Sequence, residues 1–192
     1  AWVRGQYTKG VLGGKEADGY QAERGQPTGT ETFAALRVDI DNWRWAGVPF
    51  FLRTGKRLPE RRTQIVVQFK PVPHSIFGNA AKDDLIANRL VIDLQPDEDI
   101  ELLLMNKAPG LNDRGMRLQS LPLSLSLARS YADKDARRRI AYEPLMLEVI
   151  NGVTTLFVRR DEVEQAWQWI DGVADAWAEA GMNPKPYGAG TW

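Results

Sequence analysis

The sequence has no cysteine and a single histidine, His74, among its 192 residues. Without cysteine it forms neither disulfides nor thiolate metal sites, so we expect no metal and a reducing, cytoplasmic location. It has no apolar run near the roughly 20 residues of a bilayer-spanning helix, and its first ten residues lack the apolar core of a signal peptide. These absences exclude the disulfide-rich secreted classes and predict no membrane partner.

Excess charge of one sign is missing as well, because 25 basic residues balance 25 acidic ones. This balance argues against a surface dedicated to nucleic acid or to an anionic membrane. The length predicts a single domain, residues 1–192. The chain does not begin with Met and its opening reads like the middle of a sequence, so we expect a fragment of a longer protein.

Strands are predicted wherever apolar and polar residues alternate. The alternating segments are 34–40, 65–69, 90–94, 100–104 and 121–127, and residues 48–53 form a more continuous apolar run. Because most connections between them are too short for a helix, the pattern predicts an α+β fold with a large, mainly antiparallel β-sheet and helices packed on one face. Residues 1–30, rich in Gly, Lys and Glu without a period, are expected to be a loop or connecting segment.

Two helices are predicted after the strands. The first begins near Pro144, a residue suited to the first helical turn, and ends before Gly152. The second has Asp161 as its expected N-cap and ends before Gly181.

Positive charge is concentrated in one short stretch, "FFLRTGKRLPERRTQIVVQF" (50–69). Five of the ten residues from 53 to 62 are basic, and only Glu60 is acidic. Lys56 and Arg61 lie far enough apart along the predicted Gly55–Pro59 turn to converge on one phosphate, and Lys and Arg are usual partners of phosphate. The alternative is a solvated loop or a set of ion-pair partners. A nucleotide-hydrolase phosphate loop is excluded, because Arg rather than Ser or Thr follows Lys56.

Other candidate sites are weaker. A surface role is favoured for His74 over general-base catalysis, because the sequence places no acidic partner beside it. No G-x-G-x-x-G motif is present, so this chain has no sequence signal for a dinucleotide fold. The basic cluster contains no interleaved aromatic residue between Phe51 and Phe69, which argues against nucleic-acid binding.

Several long motifs carry a family resemblance across practically the whole chain. They are "ETFAALRVDIDNWRWAGVPFFLRTGKRLPERRTQIVVQFK", "NRLVIDLQPDEDIELLLMNKAPG", "AYEPLMLEVINGVTTLFVRRDEVEQAWQWID" and "PKPYGAGTW". The chain closely resembles the C-terminal domain of bacterial glucose-6-phosphate 1-dehydrogenases. The resemblance implies an enzyme that oxidises C1 of glucose 6-phosphate to 6-phosphogluconolactone with NADP, or NAD in some members, in the pentose phosphate pathway.

Site residues carry over from this resemblance at two positions. It implies that Lys56 and Arg61 bind the sugar phosphate, although Arg61 stands where many bacterial members have Lys. It assigns the coenzyme fold and the catalytic histidine to an upstream half whose motifs are absent here. We therefore expect no catalytic residue in this chain, and His74 matches no catalytic motif.

The resemblance also concerns assembly and a second coenzyme site. It implies a homodimer or homotetramer built through the large sheet. Animal members hold a second NADP using an Arg at the position of Asp93, so no such site is expected here. The alternatives are a non-catalytic sugar-phosphate-binding or assembly module and a purely structural dimer scaffold.

Overall fold

The computed structural model describes residues 2–74, 85–108, 118–126 and 142–191. Its elements, in chain order, are β1 (Trp2–Thr8), β2 (Gly10–Leu12), β3 (Lys15–Ala17), α1 (Tyr20–Arg24), β4 (Phe33–Asp39), β5 (Pro49–Gly55), β6 (Thr63–Gln68), β7 (Arg89–Gln95), β8 (Asp99–Lys107), β9 (Leu118–Ser126), α2 (Tyr142–Asn151), α3 (Arg160–Glu179) and β10 (Lys185–Gly188). Among these described helices, none is both long enough and apolar enough to cross a membrane.

The strands are arranged in two four-stranded sheets and one hairpin. The first sheet has the order β10-β1-β4-β5, the second has the order β6-β7-β8-β9, and β2 pairs with β3. Neighbouring strands are antiparallel except β1 and β10, which run parallel. The α+β class and the mainly antiparallel pairing are confirmed, and the structure divides the described strands among two four-stranded sheets and the β2–β3 hairpin.

The chain separates into two compact units, each folded around one of these sheets. The first unit comprises Ala1–Glu60 with Arg139–Trp192, and the second comprises Arg61–Arg138. The sequence prediction of one domain spanning residues 1–192 stays a prediction.

The core of the first unit lies where β1 meets its neighbours and α3. Tyr7, Trp177 and Ala189 are buried there. Trp177 on α3 lies against Trp2 of β1, with ring centroids 6.2 Å apart, and the Arg4 guanidinium stacks over the Trp177 ring at 5.3 Å. This packing places α3 on one face of the first sheet, as the apolar period of the helix predicts.

In the second unit the strands lie where alternation predicts them, but the burial of their side chains does not alternate. Leu121, Leu123 and Leu125 lie at every second position of β9, as expected for residues that share one face. Leu127, predicted to continue this strand, lies outside the described residues. Val91 of β7 is buried, whereas the apolar side chains of β6 and β9 are exposed.

The prediction that residues 1–30 form a loop is wrong for much of this segment. Residues Trp2–Thr8 form β1, an interior strand hydrogen-bonded to β4 on one side and β10 on the other. Polar side chains with internal partners break its apolar alternation: the buried Gln6 amide, for example, donates to the Thr28 and Thr30 carbonyl oxygens at 2.9 and 2.7 Å.

The predicted helix ends are more accurate than the predicted starts. Gly152 and Gly181 follow α2 and α3 with positive φ angles of 67° and 60°, as expected of C-terminal glycines. The start of α3 lies before Asp161, because Arg159 is the N-cap and its backbone N–H donates to the Glu162 carboxylate at 3.2 Å.

Candidate functional site

The basic turn leaves the first sheet at the end of β5. Gly55, the last residue of β5, pairs with Phe33 of β4. A Cβ at Gly55 would lie only 2.7 Å from the Phe33 ring and 3.1 Å from Leu58. Glycine is therefore required here because the backbone passes closely over an aromatic side chain, and this close passage sets the direction in which the chain enters the turn.

Two hydrogen bonds hold the backbone of Lys56, one to the residue that precedes β4 and one from β10. Its N–H donates to the Thr32 carbonyl oxygen at 2.8 Å, and its carbonyl oxygen accepts from the Tyr187 hydroxyl at 2.7 Å. Tyr187 lies on β10, whose partner β1 also pairs with β4. The Lys56 backbone is thus tied to two parts of the first unit that are distant in sequence.

Arg57, the next residue, has a left-handed backbone with φ of 53°. For a residue with a Cβ this conformation costs about 1–2 kcal/mol, so other contacts must hold it. The Arg57 carbonyl oxygen accepts from the Gly190 N–H at 2.8 Å, and its guanidinium donates to Glu23 at 2.7 Å. These contacts attach Arg57 to the C-terminal turn and to α1.

A charged cluster involves one residue of the basic turn, Arg57, together with Glu23 and Tyr7. The two Glu23 carboxylate oxygens accept separately from the Tyr7 hydroxyl and from Arg57, both at 2.7 Å, and the guanidinium lies 5.9 Å from the Tyr7 ring centroid. Burial raises the pKa of the Tyr7 phenol above its ordinary value, and the hydrogen bond to Glu23 raises that pKa further. The hydrogen bond with Tyr7 and the charge of Glu23 raise the pKa of Arg57. Around neutral pH, Tyr7 is therefore neutral and Arg57 charged.

The five basic residues of the cluster differ in their partners. Arg57 is paired with Glu23, Arg62 donates to the Asp93 carboxylate at 2.9 and 3.2 Å, and Arg53 also takes part in an interaction. Lys56 and Arg61 are exposed, and neither side chain has a hydrogen bond or ion pair with any residue the structure describes. The two cations selected by resemblance are thus the two that remain available to an external anion.

These two residues belong to different units. Lys56 lies in the first unit and Arg61 is the first residue of the second. Each is exposed in its own unit, and their convergence on one phosphate stays a prediction.

His74 gives no indication of catalysis. It follows β6, is exposed, and has no hydrogen bond or ion pair with the described part of the chain. The described residues also contain no group of three His, Cys, Asp or Glu side chains that could hold a metal. Asp93 is the residue because of which no second coenzyme site is expected. Its carboxylate accepts hydrogen bonds from Arg62 and from the Gln64 amide, the latter at 3.2 Å.

Sequence reasoning missed the residues that hold the turn. Tyr187 and Gly190 lie in a Pro- and Gly-containing segment in which no apolar alternation predicts a strand. A sequence signal was available, because Gly in a strand often marks the close approach of another backbone, and the hydroxyl of a buried Tyr usually finds a hydrogen-bond partner. The partners of Arg57, which lie 34 and 133 residues away, leave no such signal in the sequence.

The whole chain, residues 1–192, matches the family model described as "Glucose-6-phosphate dehydrogenase, C-terminal domain". The glucose-6-phosphate 1-dehydrogenase of Zymomonas mobilis is 57% identical over 190 residues, covering 99% of this chain and 39% of that relative. The enzyme of the same name from Dickeya dadantii is 50% identical over 192 residues, covering 99% of this chain and 38% of the relative.

Solved structures agree with these sequence relatives. One described as "Glucose-6-phosphate dehydrogenase in complex with its substrate glucose-6-phosphate" superposes with a TM-score of 0.82 at 32% identity, covering 99% of this chain and 37% of that one. Glucose-6-phosphate 1-dehydrogenase from Mycobacterium avium gives a TM-score of 0.72 at 31% identity, covering 100% of this chain and 36% of that one. The chain therefore spans less than two fifths of the length of each of these solved chains.

Proposed function

Since the chain belongs to the family of glucose-6-phosphate dehydrogenase C-terminal domains, we propose that it is the C-terminal part of an enzyme that oxidises glucose 6-phosphate, and that it binds the sugar phosphate. The longer protein that contains these residues is called the complete enzyme below. One observation carries the proposal: Lys56 and Arg61 are the exposed cations of the basic cluster that have no partner among the described residues.

The phosphate contact would be electrostatic. A phosphate monoester carries close to two negative charges at neutral pH, and a lysine ammonium and an arginine guanidinium both donate charge-assisted hydrogen bonds to it. Arg61 can offer two parallel N–H groups, whereas Lys56 acts as a point charge on a flexible stem. Together they would fix the C6 end of the sugar, so that C1 at the other end is presented to the reacting groups.

The residues of this chain do not fit a coenzyme site. The sequence has no G-x-G-x-x-G turn, and no described strand leads through such a turn into a helix. When bound elsewhere in the complete enzyme, NADP, or NAD, accepts the hydride that leaves C1 while the C1 hydroxyl loses a proton. We assign coenzyme binding and proton removal to residues outside this chain and derive no step through them here.

Assembly through the sheet is part of the proposal. The second unit exposes apolar side chains on β6 and β9, including Ile65 and Leu123. Apolar strand surface of this kind favours contact with a second copy, in a homodimer or homotetramer.

A cytoplasmic location is also part of the proposal, and the absence of cysteine agrees with it.

The test compares the 192 residues alone with the complete enzyme, using glucose 6-phosphate and NADP and following NADPH absorbance. We expect turnover by the complete enzyme and none by the 192 residues. Turnover by the short chain would overturn the assignment of the chemistry and make His74 the first residue to mutate. A complete protein that binds glucose 6-phosphate without turnover would instead support the non-catalytic binding module.

A further inference from the structure

The hydrogen bonds at Lys56 form a connected chain with a definite direction. The Tyr7 N–H donates to Thr32 Oγ1 at 3.0 Å, and Thr32 Oγ1 lies 3.0 Å from the Tyr187 hydroxyl. Since the Tyr187 hydroxyl has one proton and its shortest contact is the Lys56 carbonyl oxygen at 2.7 Å, we assign that proton to Lys56 and the Thr32 proton to the Tyr187 oxygen. Each hydroxyl then donates once and accepts once.

The C-terminal segment closes this arrangement from the other side. The Gly190 N–H donates to the carbonyl oxygen of Arg57, and the Ala189 N–H donates to Thr8 at the end of β1. Ala189 is 1% exposed, so this segment is packed into the first unit. Two successive carbonyl groups of the basic turn, those of Lys56 and Arg57, thus accept hydrogen bonds from β10 and the turn that follows it.

We propose that Tyr187 and Arg57 are positioning residues for the phosphate-binding lysine, fixing the Lys56 backbone so that its ammonium group is held within reach of the substrate phosphate. This inference rests on the proposed function of Lys56. Neither residue needs to contact the substrate, because the Tyr187 hydroxyl is directed at a backbone carbonyl and the Arg57 guanidinium is paired with Glu23.

The need for such positioning follows from the lysine itself. The Lys56 side chain is exposed and has no partner among the described residues that would fix its rotamers. Its four-carbon stem already lets the ammonium group sample a wide volume, and any freedom of the backbone enlarges that volume. Binding then has to order more conformations, which weakens the affinity for the phosphate.

The backbone conformation of Arg57 also fixes the position of Lys56. Its φ of 53° is held by the Gly190 hydrogen bond, the Glu23 ion pair and the stacking on Tyr7. If these contacts are lost, the residue relaxes toward negative φ and the preceding peptide, which carries the Lys56 carbonyl group, rotates. The side chains of Glu23 and Tyr7 therefore act on Lys56 through Arg57, whereas the Tyr7 backbone N–H acts through Thr32 and Tyr187.

The experiment is a double-mutant cycle in the complete enzyme, with KM for glucose 6-phosphate as the readout. Tyr187→Phe removes one hydroxyl and keeps the ring that packs on Phe33 at 5.9 Å. We expect KM to rise about three- to ten-fold, the effect of one net hydrogen bond, with kcat within about two-fold and KM for NADP unchanged. In a Lys56→Ala background the same substitution should no longer change KM.

Tyr20→Phe is the matched control. It also removes one hydroxyl from the first unit, and that hydroxyl has no hydrogen bond to the described residues, while the ring keeps its contact with Tyr7 at 5.6 Å. We expect its kinetic constants to match those of the wild type.

A second variant, Glu23→Gln, weakens the ion pair with Arg57 and leaves the Tyr187 hydrogen bond in place. It should raise KM for glucose 6-phosphate about two-fold when Lys56 is present and should not change it in the Lys56→Ala background.

The outcomes separate this inference from the function on which it rests. If Tyr187→Phe raises KM equally with and without Lys56, or if it changes only the unfolding temperature, the positioning role is overturned while the phosphate role of Lys56 stands. If Lys56→Ala itself leaves KM unchanged, the phosphate role fails, and the positioning role fails with it.

Discussion

The two units of the chain differ in how they place apolar and polar groups. In the first unit, Tyr7, Trp177 and Ala189 are buried and a chain of hydrogen bonds runs from β1 to the basic turn. In the second unit, Val91 is the buried apolar residue among those described, and apolar side chains of β6 and β9 are exposed. The first unit thus contains the contacts that fix a site, although it also exposes apolar side chains on α2 and α3, such as Ile150 and Trp167. In the second unit, exposed apolar side chains lie along the strands β6 and β9, a surface suited to a partner.

This difference predicts different responses to mutation. A substitution inside the first unit should disturb stability and the site together, because the same backbone bonds serve both. A substitution on the exposed strands of the second unit should disturb assembly before it disturbs the fold.

The largest effect should come from Gly190→Ala in the first unit. Gly190 has φ of 82°, and a Cβ there would lie 1.8 Å from the Val11 carbonyl oxygen. Because backbone rather than a flexible side chain blocks the Cβ, we expect a loss of about 3 kcal/mol or more in unfolding free energy. The measurement is urea unfolding of the complete enzyme followed by tryptophan fluorescence.

The control for Gly190→Ala is Gly152→Ala. Gly152 also has a positive φ, 67°, but a Cβ there would meet nothing within 4 Å. Gly152→Ala should therefore lower the unfolding free energy only by the cost of placing Ala in a left-handed backbone, about 1–2 kcal/mol. Equal losses for the two variants would contradict the close packing of the C-terminal turn.

The next largest effect concerns Lys56 and Arg61, the cations of the basic cluster that have no partner among the described residues. Lys56→Ala and Arg61→Ala should each lower kcat/KM for glucose 6-phosphate about 10- to 100-fold, the range for a charge-assisted hydrogen bond. With glucose as substrate, which has no phosphate, both variants should match the wild type. Arg62→Ala is the control, because Arg62 is already paired with Asp93. An equal loss with glucose would show that these residues do not act on the phosphate.

Sequence reasoning was most successful where a residue's environment is set by its neighbours along the chain. The alternation of residues 34–40 and 90–94 predicted β4 and β7, and Gly181 predicted the end of α3, because strand faces and helix ends depend on nearby residues. The turn after β5 was identified in the same way, whereas the assignment of Lys56 and Arg61 to the phosphate stays a prediction.

It failed where the environment is set by distant residues. Trp2–Thr8 lacks apolar alternation because the polar Arg4 and Gln6 side chains hydrogen-bond residues up to 178 positions away, including the Met182 carbonyl oxygen. Lys185–Gly188 has no apolar alternation that predicts a strand, because this segment becomes a strand through parallel pairing with β1. Likewise, no local pattern shows that the Arg57 side chain is paired with Glu23 while the Lys56 side chain has no partner among the described residues.

Leu123→Glu tests the exposed strands of the second unit. Leu123 is 62% exposed on β9, so a charge should cost little in the isolated fold but should oppose burial against a second copy. We expect the complete enzyme to shift toward smaller species in light scattering after size exclusion, at an unfolding temperature near the wild-type value. Ser124→Glu is the control, because it adds the same charge at the next position, which faces the other side of the strand. If Leu123→Glu leaves the mass of the complete enzyme unchanged, as Ser124→Glu does, the Leu123 face of β9 is not the subunit contact.

The smallest effect should come from the ion pair between Arg62 and Asp93 in the second unit. Its side chains are 43% and 20% exposed, so solvent screens the attraction and a pair of this kind contributes about 0.2–1 kcal/mol. Asp93→Asn should therefore lower the unfolding free energy of the complete enzyme by less than about 1 kcal/mol, and less still in 1 M salt. A larger loss, or one that does not shrink in 1 M salt, would contradict this screening and give the pair a structural role in the second unit.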